Sequence, residues 1–162
     1  HPIDSSVDAP SLDLPAVSAE VTTPMNDKSY QYVIDLGGDK VGARVIARFR
    51  GSIPDDEYDL FFVVNANRER TQTAEEVMEY IDEIEAASQL KVTGLINNTH
   101  MLKATTVEDV LKGQEVSREV SKARNIPIKY VACLREVANQ LPDGLEGEIL
   151  PIDLYMRDDW MM

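Results

Sequence analysis

The sequence predicts an α/β fold of the three-layer type, with a mainly parallel sheet of about four strands and flanking helices. Short apolar runs alternate along the chain with segments of helical periodicity, which is the pattern of successive strand–helix–strand units. The most β-prone run, residues 60–64, is apolar throughout rather than alternating, as is typical of a strand covered on both faces. We therefore expect a single α/β domain over residues 1–162, with residues 1–14 irregular.

The first elements follow a polar beginning. Residues 1–14 carry three Asp, three Ser and two Pro, and a short helix is predicted from Pro15. The apolar run Tyr32-Val33-Ile34 predicts a buried strand from Tyr30 to Asp35. A glycine turn follows it, and helical periodicity then extends from about Asp39 to Arg50.

A second strand is predicted over residues 58–66, and it ends in Asn65-Ala66-Asn67-Arg68. The clearest helix of the chain comes next. Thr73 and Glu76 have the spacing of a capping box. Apolar residues then recur at helical spacing, and they are Val77, Ile81, Ile84 and Ala87.

Residues 92–96 predict a third strand, which ends in Asn97-Asn98-Thr99. Thr105 and Glu108 then open a helical region whose apolar stripe shifts phase near Gly113, so we expect two helices or one that bends. Residues 126–133 predict the fourth strand. Beyond Arg135, residues 136–141 fit a short helix and residues 149–154 a short extended piece.

Composition and charge exclude several classes of function. The net charge of -13 disfavours direct binding to nucleic acid or to an anionic membrane surface. No apolar run reaches the ~20 residues of a membrane span. A single cysteine, Cys133, rules out an internal disulfide framework and fits a reducing compartment, so we expect a cytoplasmic protein. Because the chain begins with His1-Pro2, we also expect a fragment, a processed form or a trimmed chain.

Three predicted strand ends carry polar residues. They are Asp35-Leu36-Gly37-Gly38, Asn65-Ala66-Asn67-Arg68 and Asn97-Asn98-Thr99-His100. Because the carboxyl ends of parallel strands meet at one edge of a sheet, these segments are expected to converge on a binding site. Asn and Asp are also common where strands pass into turns, so a purely structural role is the alternative.

An apolar strand followed by Asp-x-Gly-Gly, and then by strand ends that contain Asn, resembles the MinD/ParA/CobQ-type P-loop ATPases. The run Tyr-Val-Ile-Asp-Leu-Gly-Gly-Asp-Lys-Val-Gly-Ala is similar to that of uncharacterised bacterial members. The resemblance covers about residues 10 to 160 and corresponds to the portion C-terminal to the Walker A loop. It implies a P-loop NTPase-like fold whose first βαβ unit is missing.

The resemblance also implies roles for particular residues. Asp35 corresponds to the catalytic acidic residue that holds Mg²⁺, directly or through water. Gly37 and Gly38 correspond to the switch segment whose amides sense the γ-phosphate, and Asn97 or Asn98 to the asparagine that reads adenine. The implied activity is that of an ATP-binding, ATP-hydrolysing switch protein, typically a homodimer, with Mg²⁺ and ATP as cofactors.

The sequence departs from that family in one essential feature. No stretch matches Gly-x-x-x-x-Gly-Lys-[Ser/Thr], the loop that cradles the phosphates. Nucleotide binding and ATPase activity are thus expected only if such a loop lies upstream. The alternatives are a regulatory or interaction domain without nucleotide, and an enzyme that binds another substrate at the same strand edge.

The remaining polar and apolar features are weaker indications. His100 and Cys133 are more typical of a hydrogen-bonded loop residue and of core packing than of catalysis. Arg68 and Arg70 form a small basic island that could reach a phosphate across a dimer interface. The apolar residues in the tail 155–162 indicate either docking onto the domain or a protein partner.

Overall fold

The computed structural model describes Ser29 and residues 31–153, and the chain forms two compact units. The first unit comprises His1–Tyr58 with Glu83–Leu90, and the second comprises Asp59–Asp82 with Lys91–Met162. The predictions made for residues 1–28, for Tyr30 and for the tail from residue 154 onward lie outside the described residues.

The first unit contains helix α1, Lys40–Ala47, and a 3-10 helix, Arg50–Ser52. Asp39 is the N-cap of α1, and its carboxylate accepts a hydrogen bond of 2.7 Å from Gly42 N. The helix buries Ala43 and Ile46. The predicted helix is therefore confirmed, although it ends earlier than Arg50.

The strand predicted over Tyr30–Asp35 is wrong. Residues 31–37 have no regular secondary structure, and the side chains of Tyr32, Val33 and Ile34 are 37%, 99% and 48% exposed. A strand needs a neighbour to satisfy its backbone groups, and these residues pair with no other described strand. An apolar run alone did not suffice to form one.

The second unit contains a four-stranded, all-parallel sheet. Its strands are β1 (Phe61–Val64), β2 (Gly94–Asn97), β3 (Ile128–Leu134) and β4 (Glu148–Ile152). They lie side by side in chain order. With its flanking helices the sheet is an α/β fold of the three-layer type, as the sequence predicts. The fourth strand is β4, which was expected only as a short extended piece.

Three helices connect the strands. They are α2 (Ala74–Ser88), α3 (Val107–Arg124) and the short α4 (Arg135–Ala138). The capping box predicted at the start of α2 is confirmed, because Glu76 Oε2 accepts from Thr73 N at 3.1 Å and Thr73 Oγ1 accepts from Glu76 N at 3.3 Å. Each helix returns the chain to the amino end of the next parallel strand.

Helix α3 is a single helix, so the alternative of two separate helices is wrong. Its capping box lies at Thr106 and Asp109, one residue later than the predicted pair Thr105 and Glu108. The phase shift of its apolar stripe has a structural cause. The middle of the buried face of α3 is small or polar, and it consists of Gly113, Gln114 and Ser117.

One face of the sheet packs against α3 and α4. Val110 from α3 and Val137 from α4 form a buried cluster with Val131 and Cys133 of β3. From α2, Tyr80 meets Phe62 edge to face, with 5.7 Å between the ring centroids. This face therefore holds a buried apolar cluster of the second unit.

The hydroxyl of Ser117 gives a prediction about stability. This side chain is fully buried, and its Oγ atom has no hydrogen-bond partner among the residues that the structure describes. We expect Ser117→Ala to raise the free energy of unfolding by about 1.5 kcal/mol, because it removes a desolvated polar group and improves helix propensity. Urea unfolding would measure this. Ser121→Ala in the same helix should gain only about 0.5 kcal/mol, and equal gains would contradict the argument.

Candidate functional site

Two of the three segments expected to converge, those after β1 and β2, meet at the carboxyl edge of the sheet. The third, Asp35-Leu36-Gly37-Gly38, follows no strand, so the prediction is wrong for that segment. Asn98 N donates to Val64 O at 2.8 Å, and Ala66 N donates to Thr99 Oγ1 at 3.0 Å. His100 N contacts Asn65 Oδ1 at 3.4 Å. The two loops therefore form one polar surface, which is the candidate site.

Asn97 lies beneath this surface rather than on it. It is fully buried, and its Nδ2 donates to Val110 O at 2.9 Å and to Gln114 Oε1 at 3.2 Å. Its Oδ1 accepts from Thr99 N at 3.1 Å. All the principal hydrogen-bonding capacity of this amide is thus used inside the protein, which leaves Asn97 no group with which to read a ligand.

Gln114 continues this buried network across helix α3. Its side chain is fully buried, and its Nε2 donates to Glu146 O at 2.9 Å. A chain of amides thereby connects the end of β2, the middle of α3 and the loop that precedes β4. Such satisfied networks fix the relative positions of the elements that they join.

The neighbouring Asn98 is available for binding. Its side chain is part-exposed, and within the described residues it forms no hydrogen bond. Its backbone remains fixed by the bond to Val64 O. Of the two asparagines that sequence analysis could not separate, only Asn98 presents a carboxamide that a ligand could use.

Asn67 is held by two residues of α3. Its Nδ2 donates to Asp109 Oδ1 at 2.8 Å, and its Oδ1 accepts from Lys112 Nζ at 3.1 Å. Asp109 also accepts from Thr106 N at 2.9 Å. The bond from the Thr106 backbone, followed by the bond from Asn67, lowers the pKa of the Asp109 carboxyl below its ordinary value. This cluster fastens the loop after β1 to the start of α3.

The lowered pKa of Asp109 predicts a dependence of stability on pH. A carboxyl with a lower pKa in the folded state stabilises the protein above its unfolded pKa of about 4, and that contribution is lost as pH falls through the folded pKa. We expect Asp109→Asn to cost about 1 kcal/mol at pH 7, the scale of one cap interaction, and clearly less at pH 3.

Denaturant unfolding of both proteins at the two pH values would measure this difference. Glu108→Gln removes a charge from the same helical turn without removing the capping box. It should therefore have the smaller effect at pH 7. A cost of Asp109→Asn that is the same at both pH values would contradict the prediction.

The N-termini of three helices in the described part of the chain are occupied by carboxylates of the protein itself, whereas that of the short α4 has no side-chain cap. Asp39 caps α1, Glu76 accepts from the backbone at the start of α2, and Asp109 does so at the start of α3. Helix N-termini are common phosphate sites because their amides are otherwise unpaired. In these three helices that role is already taken by side chains.

Asp35, Gly37 and Gly38 belong to the first unit and precede α1. Asp35 is exposed, and no described residue forms a hydrogen bond or an ion pair with it. Gly37 packs closely on Gly42, where an added Cβ would lie 2.6 Å from Gly37 Cα. No group of three His, Cys, Asp or Glu side chains within residues 31–153 is placed to hold a metal ion.

The other predicted residues differ in how they are used. Arg70 has a φ of 70° and lies 4.1 Å above the ring of Tyr80, whereas Arg68 is exposed and forms no ion pair within the described chain. His100 Nδ1 accepts from Leu102 N at 3.2 Å, consistent with a loop residue. Burial raises the pKa of the Cys133 thiol, which disfavours its reactive thiolate.

Sequence reasoning missed Asp109, Lys112 and Gln114, which build the surroundings of the site. A signal for Gln114 was present in the interrupted apolar stripe of α3, because a polar residue on a buried helix face requires a polar partner. Asp109 follows Thr106 at capping-box spacing, but the overlapping Thr105 and Glu108 have the same spacing.

Within the described residues, no helix is both long and apolar enough to cross a membrane. No protein-family model, curated protein or solved structure shows significant similarity to this chain.

Proposed function

We propose that this chain is the C-terminal portion of a MinD/ParA-like ATP-binding and ATP-hydrolysing switch protein. The nucleotide would lie at the carboxyl ends of the strands, the edge at which parallel α/β sheets bind ligands. The observation that carries the proposal is the carboxamide of Asn98 at that edge, which is part-exposed and forms no hydrogen bond with any described residue. It lies beside the fixed loop that contains Asn65. Asn98 rather than Asn97 would read the adenine ring.

The other roles follow the resemblance of the sequence. Asp35 would hold Mg²⁺, directly or through water, and the amides of Gly37 and Gly38 would sense the γ-phosphate. Because the sequence has no Walker A loop, the triphosphate also requires a phosphate loop from outside these residues. The intact protein would use hydrolysis as a conformational timer in a homodimer in the cytoplasm, and Arg68 could contact the nucleotide of the partner copy.

A second function, a regulatory or interaction domain without nucleotide, is favoured by a specific observation. The N-termini of α1, α2 and α3 are all capped by the protein's own carboxylates. This arrangement satisfies the amides that a phosphate would otherwise use. Under this alternative the polar edge of the sheet would serve only to fasten its loops to α3.

A titration with Mg-ATP followed by NMR would separate the two functions, because it detects even weak binding. The nucleotide-binding proposal predicts shifts at the amides of Asn65 and Asn98 and at the side chain of Asn98. Asn98→Ala should weaken binding about tenfold, the equivalent of one lost hydrogen bond. Asp35→Ala should weaken binding of Mg-ATP more than binding of metal-free ATP.

Asn67→Ala is the matched control, because this residue lies at the same edge but its amide is engaged with α3. If Asn98→Ala left the Mg-ATP-induced NMR shifts unchanged, the role of Asn98 in reading the adenine ring would be contradicted. An absence of shifts at the sheet edge at millimolar Mg-ATP would contradict nucleotide binding by this part of the chain and favour the interaction domain.

A further inference from the structure

The end of helix α1 presents two arginines on one exposed face. Arg44 lies in the last turn of the helix, and Arg48 is its C-cap residue with helical backbone angles (φ -63°, ψ -25°). Because they are four positions apart, the two side chains leave the helix on the same side, about 6 Å from each other along its axis. Both residues are exposed, and neither guanidinium forms an ion pair or a hydrogen bond with any residue that the structure describes.

A role in complementing the helix dipole does not fully account for this pair. Cations are favourable near a helix C-terminus, but like charges four positions apart repel each other. A carboxylate neutralises the neighbouring Lys40, because Glu83 Oε1 lies 3.1 Å from its Nζ. Although the chain has 29 Asp and Glu residues against 16 Lys and Arg, none of the described carboxylates does the same for Arg44 or Arg48. The pair is therefore a local concentration of positive charge that is open to solvent.

Exposed apolar side chains accompany this charge. Val41 is 57% exposed, and with Arg44 and Arg48 it has the spacing i, i+3, i+7 of a single helix face. These three residues form what we call the basic face of α1. In the same compact unit, Val33 is 99% exposed and Ile34 is 48% exposed. Apolar side chains beside unneutralised cations are suited to contact with a partner that is both acidic and apolar.

We infer that the basic face of α1 binds an acidic segment of a partner protein. The planar fork of a guanidinium pairs with a carboxylate through two parallel hydrogen bonds. Two Asp or Glu residues four positions apart on a partner helix present their carboxylates at the same spacing of about 6 Å as Arg44 and Arg48. An apolar residue beside those carboxylates would cover Val41.

A short acidic segment fits this face better than an extended polyanion. The net charge of -13 repels a nucleic acid or an anionic membrane surface, whose charge acts on the whole protein. A short segment interacts mainly with the charges within about 8 Å of it at physiological ionic strength, the distance over which salt screens a charge. This binding would not require nucleotide, so it is independent of the site at the sheet edge.

A synthetic helical peptide would test this binding without nucleotide. In the probe, two Glu residues four positions apart flank a Leu, and fluorescence anisotropy measures its affinity for the full chain at low ionic strength. A matched peptide with Gln in place of both Glu residues should bind about tenfold more weakly. Arg44→Gln and Arg48→Gln should each weaken binding of the Glu peptide about threefold, and together about tenfold.

Two sets of variants serve as controls. Lys122→Gln combined with Lys129→Gln removes the same charge from exposed positions of the second unit, and it should leave the affinity unchanged. Arg44→Lys combined with Arg48→Lys retains the charge and should retain most of the binding. Far-UV circular dichroism would establish that each variant is folded. If the arginines served only the helix dipole, their replacement by Gln would lower the Tm without changing the affinity.

Several outcomes would overturn the inference. Undetectable binding at millimolar peptide, equal affinity for the Glu and Gln peptides, or affinity that the double Gln variant retains would each exclude this role for the face. Tighter Arg44-dependent binding of a single-stranded oligonucleotide or of phosphatidylserine vesicles would assign it to a phosphate-bearing partner. A second copy presents the exposed Glu75 and Glu79 four positions apart on α2. Self-association that their replacement by Gln abolishes would therefore assign the face to that copy.

Discussion

Replacement of Gly113 by alanine is expected to destabilise the protein by about 3 kcal/mol, although alanine is the better helix former. A Cβ at this position would overlap Thr99 Oγ1 and Asn97 Oδ1, and it would lie only 2.6 Å from Thr99 Cβ. These atoms belong to the buried network at the end of β2, so they cannot move without breaking hydrogen bonds. Thermal unfolding should show a decrease in Tm of about 9 °C.

The matched control is Gly51→Ala, because nothing lies within 4 Å of a Cβ added at Gly51. Its effect should stay within about 0.5 kcal/mol. If Gly113→Ala were neutral or stabilising, helix propensity would outweigh the contact between α3 and β2. The close approach would then not be what requires glycine at this position.

The alternation of strands and helices was predictable because it depends on local patterns. Helix α2 has both an apolar stripe and the Thr73–Glu76 capping box, and both are satisfied within one short segment. Strands β1, β2 and β3 each contain a short apolar run with polar residues at or near its ends. In each case the information needed lies within a few residues of the element.

Local sequence patterns did not predict which segment forms the fourth strand of the sheet. The run Tyr32-Val33-Ile34 is more apolar than much of β4, yet it forms no strand, whereas Glu148–Ile152 pairs along its whole length with β3. Pairing depends on where the preceding elements deliver the chain. Here the short helix α4 returns it beside β3, and the intrinsic strand preference of the residues is the weaker influence.

The convergence of the two asparagine-containing loops was likewise predictable, because parallel strands bring their carboxyl ends to one edge. The separate roles of Asn97 and Asn98 were not. Adjacent residues of a strand point to opposite faces, so one position in the register decides which asparagine lies under α3. That position is fixed by the pairing of Val64 with Asn97, which the sequence does not reveal.

The second large effect on stability is expected from substitution of one of these two asparagines. Asn97→Ala is expected to lower the free energy of unfolding by about 3 kcal/mol, because it leaves Thr99 N and Gln114 Oε1 buried without the partner they have now. Asn98→Ala should change it by no more than about 0.5 kcal/mol, because its side chain forms no hydrogen bond within the described residues. Urea unfolding of both variants at pH 7 would measure the difference.

The comparison gains force because the two substitutions are chemically identical and one residue apart. Asn98→Ala retains the backbone bond to Val64 O, so it tests the side chain alone. Stability loss confined to Asn97→Ala, together with weaker Mg-ATP binding confined to Asn98→Ala, would divide the pair into a structural residue and a ligand-binding residue. Equal stability losses would instead mean that the side-chain amides of both residues hold the sheet edge together. Asn98 would then be a structural residue and would not be available to bind a ligand.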